Sequence, residues 1–144
     1  MKIFDIKGTV IYENVNINSM KELVEEAVKK GVDLSGADFK GVDLSYADLR
    51  FAKLCGADLR FASLFGTHLV STMLYKANLE KAHLIGANLM FAILERANLE
   101  DADLEDANLE SAILERANFK GANLEGADLE YAKSQGAIFE VSNS

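Results

Sequence analysis

Hydrophobic residues return at a fixed spacing of five through most of this chain. A leucine, replaced in places by phenylalanine, occupies every fifth position from Leu34 to Leu129 without insertion or deletion. Two residues earlier in each unit stands a small residue, usually alanine. The exceptions are Val32, Val42, Thr67 and Thr72. Asp or Asn usually lies between the two, so the unit reads A-(D/N)-L-x-x. A fixed period of this kind indicates a repeat architecture.

The five-residue period fits neither of the regular secondary structures. On an α-helix, five residues turn through about 140°, so the leucines would spiral around all sides. On a continuous strand, a step of five residues places successive leucines on opposite faces. A chain that turns a corner in every unit instead brings each leucine, and the alanine two residues before it, to a common interior. The x-x pair then forms the corner, and its second residue is often glycine.

A longer period indicates how many units close one coil. The heptapeptide AILERAN occurs at residues 92–98 and again at residues 112–118, twenty residues apart. Four pentapeptide units per coil would produce this spacing, and the coil would have four sides. The repeat span, residues 32–140, then predicts about five coils stacked at about 4.8 Å.

The A-(D/N)-L-x-x unit resembles the repeat of the pentapeptide repeat family, which has many bacterial and phage members. The resemblance covers residues 32–140. It implies an all-β fold, a right-handed quadrilateral β-helix with four repeats to a coil and with the leucine and alanine inside. The segment before the repeats also resembles the N-terminal extension of many members.

Two small elements are predicted before the repeats. Residues 2–13 are rich in β-branched and aromatic residues around a central glycine, which favours a short β-hairpin. Ser19 and Glu22 match a capping box at the start of a helix. Gly31 is a suitable stop, so a helix is expected over roughly 20–30.

The chain is expected to have three parts. Residues 1–31 form a hairpin and a helix that cap the open end of the solenoid, because a terminal repeat otherwise exposes its core. Residues 32–140 form the pentapeptide-repeat β-helix, and residues 141–144 are a tail.

Charge is distributed unevenly along the chain, whose formal net charge is −8. Residues 1–72 carry nine Lys or Arg and ten Asp or Glu, a net −1, and residues 73–144 carry six and thirteen, a net −7. This balance disfavours direct binding of nucleic acid or an anionic membrane. The only cysteine is Cys55, and no membrane span or signal peptide is evident, so the expected location is the cytoplasm.

One column of outward residues superficially suggests catalysis. Under a period of twenty, Ser63, His83 and Asp103 stack in the order of a hydrolytic triad. Asp or Asn is the default in this slot, the face is flat and no oxyanion donor is evident, which favours a column of solvated residues. No calcium-binding glycine pattern, phosphate loop or dinucleotide fingerprint is present. We expect no metal, cofactor or small-molecule substrate, and an enzyme is the remote alternative.

Apolar residues at outward positions form the first candidate surface. Met73, Ile93 and Ile113 occupy the same slot in successive coils and should touch, and Phe91 lies at the adjoining corner with Phe51 below it. The apolar strip is defined as Phe51, Met73, Met90, Phe91, Ile93 and Ile113. A contiguous exposed apolar surface usually marks an interface. Alternatively, the side chains stabilise the ladder by stacking on one another.

Acidic residues of the C-terminal half form the second candidate surface. The acidic set is defined as Glu95, Glu100, Asp101, Glu105, Asp106, Glu110 and Glu115. One interpretation is a solvated surface that keeps a repeat protein soluble. The other follows from the resemblance, because some pentapeptide repeat proteins mimic duplex DNA, bind DNA gyrase and protect it from quinolones.

The favoured function is a non-enzymatic protein-interaction or scaffold module whose partner is unknown, and which forms a homodimer through one end or through the apolar strip. The alternative is an acidic DNA mimic that binds a type II topoisomerase. Ionic strength distinguishes the two, because mimicry should weaken with added salt and an apolar interface should not.

Overall fold

Parallel β-bridges join each repeat unit to the unit twenty residues further along the chain. The computed structural model describes residues 1–127 and 137–139. Four columns of bridges run through it, and one of them links Met73 to Ile93 and Ile93 to Ile113. The twenty-residue step confirms that four pentapeptide units make one coil. The total number of coils stays a prediction, and the tail at 141–144 lies outside the described residues.

Each corner is made by the x-x pair, whose second residue has a left-handed backbone. Twelve non-glycine residues adopt φ between 55° and 63° at this position, and Phe51 is one of them. This conformation costs an ordinary residue about 1 kcal/mol or more. It is held because the backbone N–H of the corner residue donates to a carbonyl one coil further on, as from Phe51 to Val70 at 3.1 Å. Coil-to-coil hydrogen bonds therefore fix the corner whether or not glycine is present.

The Asp or Asn of the unit secures the same corner through its side chain. Asp43 accepts a hydrogen bond from the backbone N–H of Ser45 at 2.9 Å, in the manner of an Asx turn. Asparagines also form a ladder between coils. Asn118 donates to Asn98 at 3.0 Å, and Asn98 donates to Asn78 at 3.2 Å.

The core is a narrow stack of leucine and alanine. From Leu34 to Phe119, every repeated leucine or phenylalanine is at most 2% exposed. Thr67 and Thr72 replace alanine inside, and their hydroxyls donate to the carbonyls of Leu44 at 2.9 Å and Leu49 at 2.8 Å. Phe139 stacks on Phe119 with ring centroids 5.2 Å apart, which covers part of the last described coil.

The N-terminal segment contains two strands and one helix. Strand β1 (Lys2–Phe4) pairs antiparallel with β2 (Val10–Glu13), and helix α1 spans Met20–Lys29. Ser19 caps the helix by accepting from the backbone N–H of Glu22 at 3.4 Å. The expected hairpin and helix are therefore present, and the helix ends within one residue of its predicted end.

Both N-terminal elements contact the first coil. Leu23, Val24 and Ala27 of α1 are fully buried and belong to the same core as the repeats. The hairpin continues into an antiparallel bridge between Asp5 and Ala37, so it adds to one face of the solenoid.

Candidate interaction surface

The apolar strip lies on one face of the solenoid and on the corner that precedes that face. Met73, Ile93 and Ile113 are consecutive members of one bridged column. The exposed fraction is 39% for Met73 and 43% for Ile113, and Ile93 between them is half-buried. The structure thus brings these three side chains together on the outside, as the sequence predicts.

The corner part of the strip has an order that the sequence reasoning did not resolve. Coil-to-coil hydrogen bonds place Ser71 between Phe51 and Phe91, so the two rings are two coil steps apart. Phe51 is therefore not directly below Phe91. Val70 lies directly below Met90 in the neighbouring column and is half-buried, so it belongs to the same surface. Continuing the twenty-residue register from Met90 would have identified it.

The strip ends at an open cleft beside α1. The cleft has a volume of about 710 Å³ and is lined by Glu25, Val28, Lys29, Gly31, Asp48, Arg50 and Phe51. Arg50 donates two hydrogen bonds to Asp48, at 2.8 and 2.6 Å, and these hold the pKa of Asp48 below its usual value. Glu25 accepts a hydrogen bond from the backbone N–H of Asp48 at 2.9 Å, which ties the helix to this corner.

The acidic set surrounds the solenoid instead of forming one acidic face. Glu95, Glu100, Glu105 and Glu110 follow one another at five-residue spacing, one at each corner of a single coil. Glu115 lies one coil beyond Glu95. The set is therefore a ring of carboxylates around two adjacent coil layers.

Arginines pair with the acidic set at one corner and not at another. Arg96 lies 3.6 Å from Glu95, and Arg116 lies 3.7 Å from Glu115. No described cation forms an ion pair with Glu105 or Asp106. Glu100, Asp101 and Glu110 likewise have no ion pair with a described cation, so the uncompensated negative charge extends over three corners.

The column of Ser63, His83 and Asp103 is formed but is not connected as a triad. Bridges place the three residues in successive coils. The Ser63 hydroxyl, however, lies 2.7 Å from that of Ser45, and Asp103 accepts from the side chain of Asn123 at 3.0 Å. Within residues 1–127 and 137–139, no group of three or more His, Cys, Asp or Glu side chains could hold a metal ion.

Aromatic side chains at two other corners of the solenoid escaped the sequence reasoning. Tyr46 and Phe65 make an edge-to-face contact with ring centroids 5.3 Å apart. The ammonium groups of Lys40 and Lys81 lie over the Phe61 ring, 5.8 and 5.9 Å from its centroid. These aromatics occupy corner positions, where the repeat imposes no residue type, so only the coil register could have paired them.

The bridged coils of five-residue units define a solenoid repeat protein. The sequence profile described as pentapeptide repeats matches residues 30–60, 62–101, 92–130 and 102–140. The chain belongs to the pentapeptide repeat family. Comparison with curated proteins gave no significant match.

Solved pentapeptide repeat proteins share the fold. One from the cyanobacterium Cyanothece 51142 is 38% identical, with a TM-score of 0.50, and the match covers 60% of this chain and 59% of that one. One from the Arabidopsis thaliana thylakoid lumen is 31% identical, with a TM-score of 0.53, and the match covers 65% of this chain and 68% of that one. These relatives imply a right-handed quadrilateral β-helix. The chain thus spans less than two thirds of the cyanobacterial protein.

A plasmid-mediated fluoroquinolone resistance protein is also similar, at 21% identity and a TM-score of 0.31, over 75% of this chain and 60% of that one. That likeness is too distant to support an argument about function. Among the described residues, α1 is the only helix, and neither its length nor its hydrophobicity suits it to cross a membrane.

Proposed function

We propose that this chain is a non-enzymatic protein-interaction module that binds a protein partner through the apolar strip. The observation that carries the proposal is the bridged column of Met73, Ile93 and Ile113. On the next face, the same slot in the same coils holds Asn78, Asn98 and Asn118. In these three coils the large apolar side chains at this slot therefore lie on one face, although Ile138 follows Asn118 in the asparagine column.

The asparagine column also bears on the alternative that the strip merely stabilises the ladder. Asn78, Asn98 and Asn118 connect successive coils by side-chain hydrogen bonds, so a polar column stabilises the same ladder without exposing apolar surface. The partly exposed side chains of Met73 and Ile113 leave apolar area in contact with water. Removing such area from water is favourable by about 25 cal/mol per Å². A partner surface is thus a better explanation than stacking alone.

A charge substitution tests the proposal. Ile93→Glu places a carboxylate in the middle of the strip, and Ile85→Glu places one at a half-buried isoleucine outside the strip, at a corner. Tagged wild type and both variants would be used to capture proteins from extract of the native cell, with bound proteins identified by mass spectrometry. We expect Ile93→Glu to lose a protein that Ile85→Glu retains, while circular dichroism shows both variants folded. Identical captured proteins for all three chains would contradict the proposal.

The proposal also assigns a role to the N-terminal segment and a cellular location to the chain. Residues 1–31 act as the cap of the array at 32–140, a role supported by the burial of Leu23, Val24 and Ala27 against the repeat core. The cytoplasm is the proposed location, because a single cysteine, Cys55, gives no indication of an oxidising compartment.

A second candidate function, an acidic mimic of DNA that binds a type II topoisomerase, is favoured by the charge density of the acidic set. Seven carboxylates occupy two adjacent coil layers, about 10 Å of solenoid. Duplex DNA carries about six phosphate charges in the same length. Arg96 and Arg116 offset two of the seven, so the match in density is partial and extends over only about three base pairs.

A gyrase supercoiling assay tests this second candidate. Excess protein should inhibit supercoiling at low salt and lose its effect as the salt concentration rises. The double variant Glu105→Gln/Asp106→Asn, at a corner where no described cation forms an ion pair, should weaken inhibition more than Glu95→Gln, whose carboxylate is already paired with Arg96. Supercoiling that is unaffected by excess wild-type protein would remove this candidate.

A further inference from the structure

The corner beside the apolar strip alternates large and small side chains from coil to coil. Its order is Phe51, Ser71, Phe91 and Ser111. The exposed fraction is 72% for Phe51 and 52% for Phe91, whereas the two serines are half-buried. The backbone positions of the two rings are two coil steps, about 9.6 Å, apart. Each phenylalanine is therefore followed in the column by the much smaller side chain of a serine.

The residues that directly precede these two phenylalanines and two serines in the sequence form a second column. Its two ends carry opposite charges. Its order is Arg50, Val70, Met90 and Glu110. The first and last are exposed, and the two apolar residues between them are half-buried. Reversing the direction of this column exchanges arginine with glutamate and valine with methionine.

Both columns complement themselves when a second copy is turned end to end. We propose that the partner of the apolar strip is a second copy of this chain, docked antiparallel about a two-fold axis that passes between the levels of Val70 and Met90. Phe91 then packs against the small side chain of Ser71 of the second copy. A two-fold interface uses one surface patch twice, so that patch must complement its own reversed image.

The charged ends and the neighbouring face agree with this arrangement. Arg50 of each copy faces Glu110 of the other, which gives one ion pair at each end of the contact. Arg50 already donates two hydrogen bonds to Asp48, but a guanidinium has five N–H donors and can bind a second carboxylate. On the adjoining face, Met73 lies opposite Ile93 of the second copy, and the same register sets Lys53 opposite Ile113. The inference rests on the proposed function, in which the strip is an interface.

The size of the contact sets the expected affinity. The four coil levels of the columns span about 14 Å along the solenoid. A contact of that length buries less area than the roughly 1,200 Å² that stable complexes bury. We therefore expect a reversible dimer with a dissociation constant between micromolar and millimolar.

Charge reversal followed by sedimentation equilibrium tests the antiparallel pairing. Arg50→Glu sets a carboxylate against Glu110 of the second copy, and Glu110→Arg sets two arginines together. We expect each single variant to dimerise about tenfold more weakly. An equimolar mixture of the two should recover the wild-type affinity as a heterodimer, because both ends then pair opposite charges.

A matched pair of controls separates this effect from local changes. Arg60 donates to Asp58 at 2.8 and 2.6 Å, the same geometry as Arg50 with Asp48, but at a different corner. Arg60→Glu and Glu100→Arg should therefore leave the dimer unchanged. If the mixture of Arg50→Glu and Glu110→Arg stays monomeric while both are folded, the antiparallel arrangement is wrong.

A size substitution distinguishes a fitted interface from general hydrophobic association. Ser71→Phe adds exposed apolar surface, and phenylalanine is already accommodated in the same left-handed conformation at residue 51. In the proposed dimer the added ring meets Phe91 of the second copy, so we expect weaker dimerisation, restored in Ser71→Phe/Phe91→Ser. Stronger association of Ser71→Phe would overturn the inference.

Wild-type protein that remains monomeric up to about 1 mM would also overturn the inference, since that concentration is the upper limit of the expected range. The proposed function would survive this result if Ile93→Glu still lost a captured protein that Ile85→Glu retained. It would fail separately if the wild-type dimer formed and Ile93→Glu dimerised equally well.

Discussion

Two glycines of one corner differ in what a methyl group would meet. Gly66 and Gly86 are one coil apart and have φ of 59° and 63°. A Cβ on Gly66 would lie 2.8 Å from Cε1 and 2.9 Å from Cδ1 of Tyr46, whereas a Cβ on Gly86 would meet no atom within 4 Å. Replacing each glycine by alanine therefore separates the backbone cost of the corner from the cost of a contact between coils.

The expected magnitudes follow from these geometries. Alanine at positive φ costs about 1 kcal/mol, and the restriction of the unfolded chain offsets about 0.4–1 kcal/mol of that cost. Gly86→Ala should therefore lower the free energy of unfolding by about 0.6 kcal/mol at most. Gly66→Ala must in addition displace the Tyr46 ring from its contact with Phe65, and such an aromatic pair contributes about 0.5–1.5 kcal/mol.

Urea unfolding followed by circular dichroism measures the difference between the two variants. We expect Gly66→Ala to be about 0.5–1.5 kcal/mol less stable than Gly86→Ala. In a Tyr46→Ser background, the two substitutions should become equal, because the ring that distinguishes them is absent. Equal stability of the two variants with Tyr46 present would refute the inference that the Tyr46 side chain lies over the following residue of its column, Gly66.

Two further predictions concern buried and charged hydrogen bonds. Thr72→Val should cost about 1 kcal/mol in urea unfolding, because the carbonyl of Leu49 loses the hydroxyl but keeps the N–H of Ala52 at 3.1 Å; no change would contradict this role. Hydrogen bonds from Lys30 and Asn14 lower the pKa of Glu26 to about 2. The stability from this ionised carboxylate is present above its ordinary pKa and is lost as the pH falls towards 2. The difference in urea midpoint between wild type and Glu26→Gln should therefore shrink from pH 6 to about pH 2, and a constant difference would contradict the prediction.

The inward half of each repeat could be predicted because one geometric constraint decides it. The interior of a coil admits only leucine or phenylalanine at one slot and a small residue two positions earlier, so the pattern that locates the repeat also identifies the buried residues. The echo of AILERAN gave the correct coil length for the same reason. Even Thr67 and Thr72 keep the rule, since their hydroxyls are satisfied by carbonyls of the preceding coil.

The outward half could be predicted only in part. The fold requires a left-handed corner but accepts Phe51, Ser71 or glycine there, because hydrogen bonds between coils hold the backbone. The repeat pattern therefore does not predict which residue type stands at a corner. Contacts between corner residues of neighbouring coils can be predicted only by aligning the chain at its twenty-residue period, one column at a time. For this reason Val70 and the contact of Tyr46 with Phe65 were missed.

Because the fold accepts many residue types at the corners, the order of residues in a corner column carries information about function. A corner column tolerates many residue types at little cost, so an ordered pattern in such a column is not a requirement of folding. The column Arg50, Val70, Met90 and Glu110 reverses onto itself with opposite charges facing. The equivalent column two corners away runs Arg60, Glu80, Glu100 and Lys120, and reversing it sets arginine against lysine and glutamate against glutamate. Both columns share one backbone geometry, and only the first could pair with its own copy in the antiparallel direction. The difference between them lies in side chains that the fold leaves unconstrained.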